Sequence, residues 1–281
     1  MVNFSKSAYR MATSPFRMLP SFIIPGETKC GTTTFYRALT QHPAIAECFI
    51  KEPNNFIKYG GTSFFCRMNY PVLFAHILSP GRYISGEASV EYLSKKDVPQ
   101  AIFSLIPDVK FIVLLRNPVA RAISDYAMMK DAGVELEDFD TVVDQSLSWL
   151  RDKDLVRLVS VATEMDAPPL RYITKGCYSE TLLPWLHVFP RDNFLFIKSE
   201  NFFATSQEVL NGTFKFLGLP NYTLQQIPHL RKSRRPTPMR EATLVKLYEF
   251  FQPYNVKLSE IIGAEFNWEN ESKGLMQSSK S

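Results

Sequence analysis

Cysteine is scarce: four residues in 281, at Cys30, Cys48, Cys66 and Cys177. No two are spaced as CxxC, and none joins a histidine at zinc-binding spacing, so neither a disulfide scaffold nor a structural zinc site is expected. Free thiols in a reducing compartment are the expectation. Long hydrophobic runs are missing too: none approaches the ~20 residues that cross a bilayer. The N-terminal stretch MVNFSKSAYRMATSPFRMLP carries Lys6, Arg10 and Arg17, with no acid before Glu27. It lacks the apolar core, about 7–15 residues long, of a secretory signal. An extended arm over residues 1–20 is expected, and its basic, Ser- and Thr-containing composition leaves an organelle transit peptide open. A cytoplasmic location and no membrane span follow as expectations. Charge of one sign is in short supply as well. The net charge is +4 with 21% charged residues, far from the dense basic face of a nucleic-acid binder but suited to an anionic ligand. There is no internal repeat, and the polar residues 270–281 are expected to form a flexible tail.

What is present suits a single domain over residues 1–281. Hydrophobic residues make up 45%, including 22 Phe and 12 Tyr, enough for a sizeable core. Three short apolar runs predict buried strands: Ser21–Pro25, Lys110–Leu115 and Asn193–Lys198, with Arg82–Ser85 a weaker fourth. Helical patterns follow the first two at Thr33–Gln41 and Ala120–Lys130. Further helices are expected at Thr141–Met165, ended by Pro168-Pro169, and at Ser179–Val188, Ser206–Leu217 and Arg240–Phe250. Thr205 and Glu208 offer a capping box for the third of these, and Gly218 its C-terminal cap. Strand–loop–helix units predict an α/β fold: a parallel β-sheet flanked by helices on both sides, P-loop-like in layout.

Two of those units carry anion-binding chemistry. The segment Gly26–Thr34, GETKCGTTT, leaves a strand and opens a helix, so backbone amides at the positive end of the helix converge on one point. Thr28, Lys29, Cys30, Gly31, Thr32, Thr33 and Thr34 supply those amides, hydroxyl donors and one full charge. This is not a Walker A loop. That pattern places lysine after its second glycine, whereas Lys29 lies two residues before Gly31, and no ligand set for magnesium is evident. In isolation the segment is equally compatible with an ordinary strand-to-helix turn bearing a surface lysine. The second unit, Leu114–Tyr126 or LLRNPVARAISDY, repeats the layout with Arg116 in the loop, Pro118 at a first helical position and Ser124 two turns beyond Asn117. Arg121 and Asp125 are expected as an i,i+4 pair on the helix surface.

Together, KxGTT after the first strand and LLRNPVxRAxSDY after a later one resemble the 3′-phosphoadenosine 5′-phosphosulfate (PAPS)-dependent sulfotransferases, closest to the carbohydrate branch that includes the heparan sulfate enzymes and bacterial relatives. KEPNNF at Lys51–Phe56, GEASVEYL at Gly86–Leu93, the run Lys175–Phe202, FLGLP at Phe216–Pro220 and PYNVKL at Pro253–Leu258 extend the resemblance over roughly residues 20–268. It implies that the first loop holds the 5′-phosphosulfate and the second the 3′-phosphate. Lys29 would stabilise the leaving phosphate and Glu52 would be the general base, with Lys51 on the sulfate oxygens. A surface Glu52 merely paired with Lys51 is the alternative. Arg116 and Ser124 would bind the 3′-phosphate. Tyr178 would lie near the adenine or that phosphate, unless it simply packs in the core. In the basic run His229–Pro236, Lys232, Ser233, Arg234 and Arg235 are candidates to close over the nucleotide. PAPS is the implied co-substrate and adenosine 3′,5′-bisphosphate the product, with no metal.

Two departures bear on the acceptor. The lysine that follows the glutamate in the heparan sulfate enzymes is Ala88 here, and Ser179-Glu180-Thr181 stand where a His or Gln is frequent. Both argue against a glycosaminoglycan. With Lys51, Glu52, Asn54, Glu87 and Glu91 assigned to the acceptor site, the acids suit a neutral or cationic compound. The expected acceptor is therefore a small-molecule natural product of secondary metabolism, such as a cationic alkaloid of the saxitoxin type, and a carbohydrate or glycan is the alternative. A nucleotide kinase and a non-catalytic anion-binding module are the remaining rivals. The former would need a Walker lysine, and the latter would be expected to lack Lys29 or Glu52. His42 and His187 are expected to be structural or exposed.

Overall fold

The computed structural model describes residues 9–61, 63–74, 84–151, 169–226 and 237–268. Five strands form one parallel sheet: β1 (Phe22–Ile24), β2 (Ile45–Glu47), β3 (Ile84–Ala88), β4 (Lys110–Leu115) and β5 (Phe194–Lys198). Their spatial order is β2-β3-β1-β4-β5. Every residue of β1 and all of β4 after Lys110 is buried. That is why these two strands are uninterrupted apolar runs rather than alternating ones: helices cover both faces of the sheet. The register places Phe22 beside Gly86 and Ile24 beside Ala88, and runs from Phe111 opposite Phe194 to Leu115 opposite Lys198. Gly86 is fixed by that register. A Cβ there would sit 2.4 Å from the Phe22 ring.

The helices used below are α1 (Thr32–Leu39), α2 (Asn55–Lys58), α3 (Phe64–Asn69), α4 (Val98–Phe103), α5 (Pro118–Asp131), α6 (Phe139–Leu150), α7 (Arg171–Thr174), α8 (Tyr178–Val188), α9 (Ser199–Ala204), α10 (Ser206–Phe216) and α11 (Glu241–Ile262). The aromatic and aliphatic core packs around β1 and β4, with Trp185 of α8 edge-on to Phe111 at 5.1 Å. A second cluster, with Val119, Tyr126, Phe139, Val143, Tyr172 and Phe251, seats α5 against α6, α7 and α11.

Several local expectations change. The capping box at Thr205 does not form, because the Thr205 hydroxyl donates to Asn201 O instead (3.2 Å). Gly218 does end α10, at φ 76°, where Leu219 N reaches back to Phe214 O at 2.8 Å. The last helix runs on through Pro253 to a left-handed Gly263. The predicted helix Thr141–Met165 is observed as Phe139–Leu150, and its continuation lies outside the described residues.

The chain leaves β1 toward β2 on one side of the sheet and leaves β4 toward β5 on the other. The carboxyl ends of β1 and β4 therefore border the crevice where an open α/β sheet binds its ligand. The two anion loops of the sequence lie at those ends.

Candidate active site

After β1 the chain turns sharply. Gly26 (φ 146°) and Gly31 (φ 82°) bracket the first loop, and Lys29 itself is left-handed at φ 70°. Gly31 is the N-cap of α1, so no side chain occupies the helix end. The first amides of α1 are left as donors for a ligand. A Cβ on Gly31 would lie 2.5 Å from the Phe203 ring, so the cradle depends on glycine for space as well as for φ. Glu27 anchors the loop from below: it is fully buried and its Oε1 accepts from Thr28 N at 2.6 Å.

A buried lysine missed by sequence reasoning completes that support. Lys175, at 0% exposure, donates to Glu91 Oε2 at 2.7 Å and lies 4.0 Å from Glu27 Oε1. Glu91 Oε1 in turn accepts from the Thr28 hydroxyl at 3.3 Å. Burial pushes the Glu27 carboxyl up from its ordinary range, and the Lys175 charge partly offsets this. Only the KGCY run containing Lys175 was a signal, and nothing in it indicates that the lysine turns inward.

Lys29 is half-buried, with Nζ 3.7 Å from Met128 Sδ. Burial lowers its pKa, opposed by the Asp125 carboxylate and reinforced by Arg116. Arg116 leaves the end of β4 and donates from Nη1 to Lys29 O at 3.1 Å, bridging the two loops. Tyr178 is a core side chain. It is 1% exposed, donates to Arg116 O at 2.9 Å and lies 3.6 Å from Cys30 Sγ. It therefore ties the loops together from inside the core, in keeping with the packing alternative given for it above. Cys30 offers only backbone, since burial removes its thiol from the surface and pushes its pKa up to about 11.

The second loop differs from its sequence reading. Asn117 caps α5 with its own side chain, accepting from Val119 N at 3.0 Å and Ala120 N at 3.2 Å. These donors are spent inside the protein, so an anion there relies on Arg116 and Ser124, which is half-buried on the first turns of α5. Arg121 and Asp125 are not on the helix surface. Both are 0% exposed, 3.2 Å apart, and Asp125 also pairs with Arg171.

Lys51 and Glu52 form a half-exposed ion pair beside the end of β3, with Glu52 N donating to Ala88 O at 3.1 Å. Glu52 (φ 55°) and Asn54 (φ 51°) are both left-handed. The Asn54 Oδ1 is buried without a partner among the described residues. Glu87 is fully buried, and its oxygens accept from Tyr70 (2.7 Å) and Ser89 (2.5 Å). Burial raises its pKa to about 7. Glu91 is committed to Lys175 and Thr28. His42 is structural, 3.0 Å from Pro220 O and packed against Phe214, and His187 is exposed. Lys232, Ser233, Arg234 and Arg235 lie outside the described residues. The uncapped helix end, the half-buried Lys29 and the Gly31 cradle fit the phosphosulfate end of PAPS, and Arg116 fits a second phosphate.

A family model described as the sulfotransferase domain matches residues 19–248. Carbohydrate sulfotransferase 15 of Mus musculus is 30% identical over 90% of this chain, and the match takes in 55% of that enzyme, so the chain spans about half the length of this relative. Heparan sulfate glucosamine 3-O-sulfotransferase 6 of Homo sapiens is 27% identical over 90% of this chain and 74% of its own. Among solved structures, a sulfotransferase from Alicyclobacillus acidocaldarius superposes with a TM-score of 0.68 at 25% identity, covering 90% of this chain and 99% of its own. A match over most of the length, on loops placed at the switch point of a parallel sheet, means that this chain belongs to the sulfotransferase domain family.

Proposed function

We propose that the chain transfers a sulfuryl group from PAPS to an acceptor hydroxyl, releasing adenosine 3′,5′-bisphosphate. The observation that carries this is the open amino end of α1 beside Lys29, joined by Arg116 to the second loop. Glu52 takes the proton of the attacking hydroxyl while the acceptor oxygen bonds to sulfur. The bond from sulfur to the 5′-phosphate oxygen breaks, and the charge left on that oxygen is met by Lys29 and the α1 amides. Arg116 and Ser124 hold the 3′-phosphate, which orients the nucleotide without touching the reacting atoms.

A carbohydrate hydroxyl is the acceptor class we favour. The acids that argued for a cationic alkaloid are otherwise engaged, Glu87 with Tyr70 and Ser89, and Glu91 with Lys175. Two of the relatives above are named for carbohydrate and heparan sulfate acceptors, each matched over 90% of this chain. Release of adenosine 3′,5′-bisphosphate from PAPS is the test, with desulfated chondroitin and heparan oligosaccharides in one arm and hydroxylated or cationic alkaloids in the other. Turnover with an oligosaccharide, lost in Glu52→Gln, supports the proposal. Turnover confined to alkaloids overturns the acceptor class, and full activity of Glu52→Gln overturns the assigned base.

A further inference from the structure

The loop carrying Glu52 is held in a conformation its residues disfavour. Two non-glycine positions in three, Glu52 and Asn54, have positive φ, at a cost on the order of 1 kcal/mol each. Such a turn persists only when its surroundings fix it. Here the fixing comes from the exit of β3. Glu52 N donates to Ala88 O at 3.1 Å, Asn54 N to Ser89 Oγ at 3.1 Å, and Phe56 N to Tyr92 OH at 3.4 Å.

The middle bond depends on a side chain. A serine hydroxyl has one proton and two lone pairs. Ser89 commits its proton to Glu87 Oε2 at 2.5 Å, which turns a lone pair toward Asn54 N. Glu87 is itself fixed by the Tyr70 hydroxyl at 2.7 Å, and Tyr70, Glu87 and Ser89 are all 0% exposed. Phe56 packs edge-on to both Tyr70 and Tyr92, at 4.7 and 5.7 Å, closing the cluster to water.

We infer that Glu87 and Ser89 are positioning residues: through the Asn54 amide they set the backbone turn that aims Glu52 at the acceptor. The inference rests on the proposed role of Glu52 as base. It also explains a buried carboxylate that contacts neither nucleotide loop.

The test uses the full chain with PAPS and the acceptor that turns over fastest in the panel, or water where no other acceptor does. Ser89→Ala is expected to lower kcat about tenfold or more, since a small misplacement of a reacting group has effects of that size or larger. KM for PAPS and affinity for adenosine 3′,5′-bisphosphate should stay within about twofold, because the nucleotide loops are untouched. Ser89→Thr, which keeps the hydroxyl, should restore kcat. In a Glu52→Gln background Ser89→Ala should cost nothing further. An additive loss there, or an equal fall in nucleotide affinity, overturns the inference. If Glu52→Gln alone is fully active, the base assignment fails instead, and the two failures are distinguishable. Should Ser89→Ala not fold, Glu87→Gln takes its place. It keeps the volume but replaces one of the two accepting oxygens with an amide donor, so the Tyr70–Glu87–Ser89 chain cannot persist unchanged; the same kcat-selective loss is expected, and a loss of stability alone overturns the inference.

Discussion

The units β1–α1 and β4–α5 share one design and use it differently. Both leave adjacent parallel strands and start a helix at the same edge of the sheet. At α1 the N-cap is Gly31, which leaves the helix amides free. At α5 it is Asn117, whose side chain consumes two of them. A strand–loop–helix signature is therefore not enough to assign an anion site. The cap residue decides whether backbone or side chains hold the charge.

The largest effect that would break this comparison is at Gly31. Gly31→Ala is expected to lower affinity for adenosine 3′,5′-bisphosphate by about 100-fold or more, because the added Cβ meets Phe203 at a positive φ. Adding Phe203→Ala should recover part of it by removing the clash but not the φ cost. Calorimetric titration measures both. Unchanged affinity in Gly31→Ala would mean that the α1 end does not cradle the ligand.

Next in size is a pH effect at the buried carboxylate. Glu87 titrates at about 7 in the fold, against roughly 4.3 for a free glutamate. The native state thus holds a proton that the unfolded chain has released. Stability should fall as pH rises from about 4.5 to 7, by on the order of 3 kcal/mol, and level off above that range. Denaturant melts of wild type and Glu87→Gln across these pH values isolate the contribution, since the variant cannot ionise. Parallel curves would show that Glu87 titrates normally.

The smallest effect sharpens the contrast at the second loop. Asn117→Ala should cost about 1 kcal/mol of stability through the lost cap and leave affinity for the bisphosphate within about twofold. A tenfold loss of affinity would show that Asn117 serves the ligand as well as the helix.

Much of this arrangement was legible in the sequence. The apolar runs of β1 and β4 mark strands buried on both faces, that of β5 marks a half-buried edge strand, and the motifs single out Lys29, Gly31, Arg116 and Glu52. β2 was not legible because Ile45–Glu47 is too short to show a period. β3 was placed too early, since Gly86 and Glu87 are poor strand formers, seated by distant partners such as Phe22, Tyr36 and Tyr70. The inward turn of Lys175 toward Glu91, and of Tyr178 toward Arg116, depends on partners 84 and 62 residues away. No local pattern encodes those pairs, so their inward packing could not be read from sequence.

The central claim is that the two loops grip opposite ends of one nucleotide, and a ligand–mutant cycle tests it most directly. Adenosine 3′,5′-bisphosphate and adenosine 5′-monophosphate are titrated calorimetrically into wild type and Arg116→Ala. The account predicts that wild type prefers the bisphosphate by about tenfold or more, as one charge-assisted pair allows, and that Arg116→Ala abolishes the preference, any loss for the monophosphate through the broken tie to Lys29 O being shared by both ligands. Equal affinity of wild type for both ligands, or a preference that survives in Arg116→Ala, would contradict it.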